Sequence, residues 1–97
     1  MKCKLKLFVS GHSSSSERAM HNLQRIIDEW APYEFEIVVI DVLENPQIAE
    51  EEKILATPTL IKESPSPLKR IIGDLSDTAK VLRGLDIARA SNKEANS

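Results

Sequence analysis

Ninety-seven residues are enough for one domain to close a hydrophobic core without disulfide or metal staples. With 41% hydrophobic and 29% charged residues and a net charge of -2, the composition is that of a globular domain, and no global positive field draws the chain to nucleic acid or an anionic membrane. One cysteine excludes an internal disulfide and no apolar run reaches bilayer length, so the expected location is a reducing cytoplasm.

Leu5, Leu7 and Val9 alternate with Lys4, Lys6 and Phe8, which predicts a first strand; the alternating N-terminus is also not a signal peptide. Gly11 ends that strand. Ser14 with Glu17 three residues later fits a capping box, and Ala19, Met20, Leu23, Ile26, Ile27 and Trp30 then recur at helical spacing up to an exit at Pro32. Phe35 to Val42 is a second strand, and its consecutive Ile37, Val38, Val39 and Ile40 predict cover on both faces. Asn45-Pro46 reads as a cap and a first-turn proline, opening a short helix whose Glu50, Glu51 and Glu52 are expected near its positive end.

Thr59 to Lys62 and Leu68 to Ile72 are two further strands, joined antiparallel through Glu63-Ser64-Pro65-Ser66-Pro67. Ser76 is the expected cap of a last helix with apolar positions Ala79, Val81, Leu82, Leu85 and Ile87. Gly84 lies inside that helix, at a cost of about 1 kcal/mol against Ala. The reading is one domain over 1–90 with a polar tail over 91–97, in the order βαβαββα.

Chemistry is hard to find. A dithiol site needs thiolates where a helix dipole lowers their pKa, and the start of the first helix holds Ser13 to Ser16 instead. Cys3 stands apart with no obvious activating neighbour. His12, His21 and Cys3 lack metal-ligand spacing, and Gly11-His12-Ser13-Ser14 lacks the second Gly and the Lys of a phosphate loop. We therefore expect no catalytic, cofactor or metal residues. Lys6, Arg18, Lys69 and Arg70 are candidates for a basic patch on the assembled sheet.

Ile54-Leu55-Ala56-Thr57-Pro58-Thr59-Leu60-Ile61 and Leu68-Lys69-Arg70-Ile71-Ile72-Gly73-Asp74-Leu75 resemble the back half of a thioredoxin-like domain, in which the peptide before the equivalent of Pro58 is cis. More specifically, Val39 to Leu60, with its Asn45-Pro46-Gln47 and Ala56-Thr57-Pro58-Thr59-Leu60 blocks, and Arg70-Ile71-Ile72-Gly73-Asp74-Leu75-Ser76 resemble the KaiB clock-protein family. The resemblance covers about residues 5 to 87. It implies a non-enzymatic, cytoplasmic regulator, without cofactor, that binds the hexameric ATPase KaiC, with KaiA or a histidine-kinase pathway as further partners. It implies two topologies: a thioredoxin-like βαβαββα binding monomer, and a βαββααβ ground state in a homo-tetramer or dimer, the form expected in a crystal. It also assigns Lys6, Arg18 and Arg70 to partner or oligomer contacts, and Pro58, Pro65, Pro67, Gly84 and Asp86 to the segment that switches. A thiol- or glutathione-dependent redox protein using Cys3 is the competing reading.

Overall fold

The computed structural model of the chain describes residues 2–29, 34–64 and 66–85. Its elements are β1 (Lys2–Val9), α1 (Ser14–Glu29), β2 (Glu34–Asp41), α2 (Pro46–Glu51), β3 (Thr59–Ser64), β4 (Lys69–Ile72) and α3 (Thr78–Leu85). The order is βαβαββα, and the strands form one sheet in the order β2-β1-β3-β4. β1 runs parallel to β2 and antiparallel to β3, and β4 is antiparallel to β3. The structure is therefore the thioredoxin-like arrangement and not the βαββααβ one.

Paired residues on neighbouring strands share a sheet face. On one face Cys3, Leu5, Leu7 and Val9 join Leu60 and Ile71, and α1 and α3 cover them with Ala19, Leu23, Ile26, Val81, Leu82 and Leu85. Each fully buried Leu or Ile there contributes about 1.5–3 kcal/mol relative to exposure. The second face carries a smaller core: Phe8 and Ile61 are buried outside the main cluster, on the side to which α2 belongs. Lys62 pairs with Leu5 and is only 1% exposed. Every fully buried side-chain nitrogen and oxygen among the described residues has a partner.

Several local expectations change. β2 is an edge strand, with Val38 47% and Val39 49% exposed, so its β-branched run reflects strand propensity and not cover on both faces. The α1 cap is Ser13, one residue earlier than expected: its carbonyl accepts from Glu17 N at 3.0 Å and its Oγ from Ser16 N at 3.3 Å. Glu17 turns instead to His12 Nδ1, at 3.3 Å. Asn45 makes no side-chain cap on α2; its Nδ2 donates to Asp41 O at 3.1 Å. Because α2 spans only six residues, Glu50 and Glu51 fall in its last turn and not near its positive end. For α3 the cap is Asp77, which takes Lys80 N on Oδ1 at 3.1 Å and Val81 N on its carbonyl at 3.0 Å, and Ser76 lies before it. β3 runs on to Ser64, and β4 begins at Lys69. Trp30, Pro32, Ile87 and the tail lie outside the described residues.

Candidate protein-docking surface

The chain turns sharply after α2. Lys53 adopts a left-handed φ of 58°, and its N–H donates to Glu50 O while Ile54 N donates to Ala49 O. The extended stretch that follows carries its apolar side chains outward: Leu55 is 94% exposed. Between this stretch and α2 lies an apolar groove of about 690 Å³, lined by Val42, Pro46, Ala49, Ile54, Leu55 and Ala56 among others. Leu43 and Ile48 are exposed nearby, at 68% and 37%. A soluble surface seldom leaves such residues side by side unless something covers them.

The cis Thr57–Pro58 peptide closes the stretch, and Pro58 is buried. Its carbonyl accepts from Gly73 N at 3.0 Å. Gly73 sits at φ +124°, a conformation that L side chains avoid, which explains the Gly-Asp pair after β4. Ser66–Pro67 is also cis, and Pro67 is exposed on the β3–β4 connection. Gly84 lies on α3 where it packs against β4; Pro65 and Asp86 lie outside the described residues.

The four basic candidates do not gather into one patch. Arg18 lies on α1, and its Nε donates to Asp74 Oδ2 at 3.0 Å, beside an Asn22 Nδ2 bond to Asp74 O at 2.8 Å. Lys6 and Arg70 do meet, on the second face of the sheet, across Ile61. Lys6 Nζ reaches Glu63 at 2.8 Å and Glu52 at 3.6 Å. Arg70 donates from Nη2 to Glu52 O at 2.5 Å and from Nη1 to Lys53 O at 3.4 Å. Lys69 is exposed on β4. The acceptors Glu52, Glu63 and Asp74 escape sequence reasoning, because nothing local in the chain marks them as partners.

These contacts set two titrations. The hydrogen bond that Lys6 donates to Glu63 raises the Lys6 pKa above its ordinary 10.5, with partial desolvation opposing and Glu52 adding. Hydrogen bonds from Ser76, then from Arg18, lower the Asp74 pKa below 3.8. A raised lysine pKa adds stability that is fully present below 10.5 and is lost as pH rises through the folded value. A depressed aspartate pKa adds stability that is present above 3.8 and is lost as pH falls through the folded value. The expected urea midpoint is therefore flat with respect to these groups between those limits. Lys6→Met should remove part of the alkaline fall and Asp74→Asn part of the acid fall. Both side chains are half-buried, at 25% and 27% exposure, and their pairs still reach solvent, so both effects are small.

No arrangement for redox chemistry appears. Burial pushes the Cys3 thiol pKa up, with the Lys62 charge opposing, so Cys3 is a protonated, enclosed side chain at neutral pH. At the start of α1, Ser13 Oγ donates to Ser16 Oγ at 2.8 Å, and Ser16 Oγ accepts from Ser10 N at 3.0 Å. A hydroxyl pair thus occupies the place where a thioredoxin-like domain carries its thiols. The double substitution Ser13→Cys with Ser16→Cys is expected to close a disulfide under mild oxidant, read as a two-hydrogen mass loss and the disappearance of two titratable thiols. Among the described residues no cluster of three or more His, Cys, Asp or Glu side chains is placed to hold a metal. Among them, too, no helix is long and apolar enough to cross a membrane.

Comparison with known proteins follows the same geometry. The KaiB domain description matches residues 6–87. A circadian clock protein KaiB3 from Synechocystis is 55% identical over 83 residues, covering 86% of this chain and 81% of its own length. The circadian clock oscillator protein KaiB of Synechococcus elongatus matches with the same identity and coverage. Among solved structures, the N-terminal domain of Synechococcus elongatus SasA superimposes with a TM-score of 0.72 at 26% identity, over 88% of this chain and 84% of that one. Oxidized mitochondrial thioredoxin 3 from Saccharomyces cerevisiae gives a TM-score of 0.68 at 26% identity, over 88% and 78%. The fold is thus thioredoxin-like, and on the extent of the match this chain belongs to the KaiB family.

Proposed function

We propose that this chain is a non-catalytic clock regulator that docks on a KaiC-type hexameric ATPase and modulates its phosphorylation state or output. The observation that carries the reading is the outward apolar groove at α2, topped by Leu55 at 94% exposure, on a chain that matches the KaiB domain over residues 6–87. An enclosed thiol and a serine pair at the redox position support binding over turnover. KaiA and a histidine-kinase pathway are the further partners, and the fold likeness to the SasA domain supports the second of them. The βαββααβ tetramer is the resting form in this reading, with the arrangement described above as the docking form. Pro58, Pro65, Pro67, Gly84 and Asp86 belong to the half that changes.

The experiment is co-elution of purified protein with a nucleotide-loaded KaiC-type hexamer after long incubation. Complex formation by the wild-type chain, and its loss in Leu55→Ser, is the expected result. Absence of a complex in every phosphorylation state rejects the docking. Light scattering over a dilution series tests the resting form, and a monomer at every concentration rejects the tetramer.

A further inference from the structure

We infer that Lys6 and Arg70 act inward, as positioning residues that hold the C-terminal end of α2 and thereby shape the apolar groove, and that a partner's charge is not what they recognise. This rests on the docking reading above.

The register places Val38, Lys6, Ile61 and Arg70 in one row across the second face of the sheet. Ile61 is buried, and the two cations flank it. Both converge on the residue that ends α2: Lys6 on the Glu52 carboxylate, Arg70 on the Glu52 carbonyl and on the next carbonyl along, that of Lys53. A helix of six residues is too short to be stable alone; backbone N–H groups take its Ile48, Ala49 and Glu50 carbonyls, and Arg70 takes the Glu52 and Lys53 carbonyls just beyond it. A guanidinium offers a planar fork of donors that one ammonium lacks, and a positive charge at a helix C-terminus is favourable. The turn they hold is a costly one, because Lys53 is a non-glycine residue in the left-handed region. The groove wall begins at that turn and continues through Ile54, Leu55 and Ala56.

Charge accounting points the same way. Lys6 and Arg70 contribute two positive charges, and Glu52 and Glu63 two negative, so the cluster is neutral. A neutral, internally bonded cluster steers an acidic partner poorly. Its effect on docking should come through the conformation of residues 52–56, and so through the dissociation rate.

The test uses the full chain with Arg70→Ala and Arg70→Lys, with a nucleotide-loaded KaiC-type hexamer as the probe. In the free protein, diluted until light scattering shows the monomer, Arg70→Ala should speed amide hydrogen exchange at Lys53 to Leu55 about tenfold, with exchange in β1 and α1 unchanged. Arg70→Lys, which keeps the charge and loses the fork, should show most of the same effect. In the complex, Arg70→Ala should raise the dissociation rate about fivefold and leave the salt dependence of the association rate as in wild type. Unchanged exchange at Lys53 to Leu55 overturns the inference. So does a flattened salt dependence with an unaltered dissociation rate, which is the mark of direct charge recognition. If Leu55→Ser binds like wild type, or wild type does not bind, the docking reading fails by itself, and the exchange measurement still decides whether Arg70 holds α2.

Discussion

Gly84→Leu is expected to destabilise this fold by about 2–3 kcal/mol, although helix propensity alone predicts a gain of about 1 kcal/mol. The opposite signs make the experiment decisive. A Cβ built on Gly84 would lie 2.9 Å from Ile71 Cδ1 and 3.0 Å from Ile71 Cγ1, both closer than carbon atoms tolerate without movement. Ile71 is a buried β4 residue in the main core, so the glycine is what lets α3 settle onto the sheet. The conservative Gly84→Ala adds only the Cβ, and the nearer atom it meets is the free end of a side chain that can turn. Its propensity gain and its crowding should nearly cancel. Adding Ile71→Val removes Cδ1, so the double variant should be more stable than the sum of the single effects by about 0.5–1 kcal/mol. Urea midpoints for the five proteins measure this, and a more stable Gly84→Leu would show that propensity and not contact governs the position.

That glycine illustrates what the sequence alone can and cannot supply. Strand and helix order follow from hydrophobic periodicity, and the βαβαββα order is the one observed. Periodicity reports which residues are apolar at a given spacing; it does not report what lies opposite them. Gly84 therefore reads as a weak point in a helix, while its partner Ile71 is thirteen positions away on β4. The same limit applies to β2: Val38 and Val39 look like core residues, yet the strand order leaves β2 at the edge. The caps shift by a residue because serines and aspartates cluster, at 13 to 16 and at 74 to 77, and local chemistry does not rank neighbours of the same type.

The docking surface is still less visible. Lys6, Arg18 and Arg70 stand out in the sequence as cations, but their acceptors lie 46, 56 and 17 or 18 positions away or more, and only the assembled sheet brings them together. Each of these cations makes a contact within the chain that its place in the sequence does not announce. Leu55 lies in an apolar run that leads into the buried β3, and nothing in that run marks it as the one that faces water.

Phe8→Ala is expected to cost about 3–5 kcal/mol, the usual loss for emptying a buried aromatic site. Its location determines what that loss does. Phe8 and Ile61 are fully buried, yet neither belongs to the cluster that α1 and α3 cover. They lie on the second face of the sheet, where Ile61 shares the row in which Lys6 and Arg70 grip Glu52. Removing the ring empties volume on the sheet face that, through Lys6 and Arg70, also anchors a six-residue helix too short to stand alone. The main core of Leu5, Leu7, Leu23, Ile26, Leu60 and Leu85 keeps all its members. Hydrogen exchange should therefore rise first and most in residues 46–56, ahead of α1 and β1, and docking should weaken before the domain unfolds. Phe8→Leu retains part of the volume and should show the same order of effects at a smaller cost. Uniform acceleration across all elements would mean that the two sheet faces form a single cooperative unit, and that the groove cannot be loosened apart from the fold that carries it.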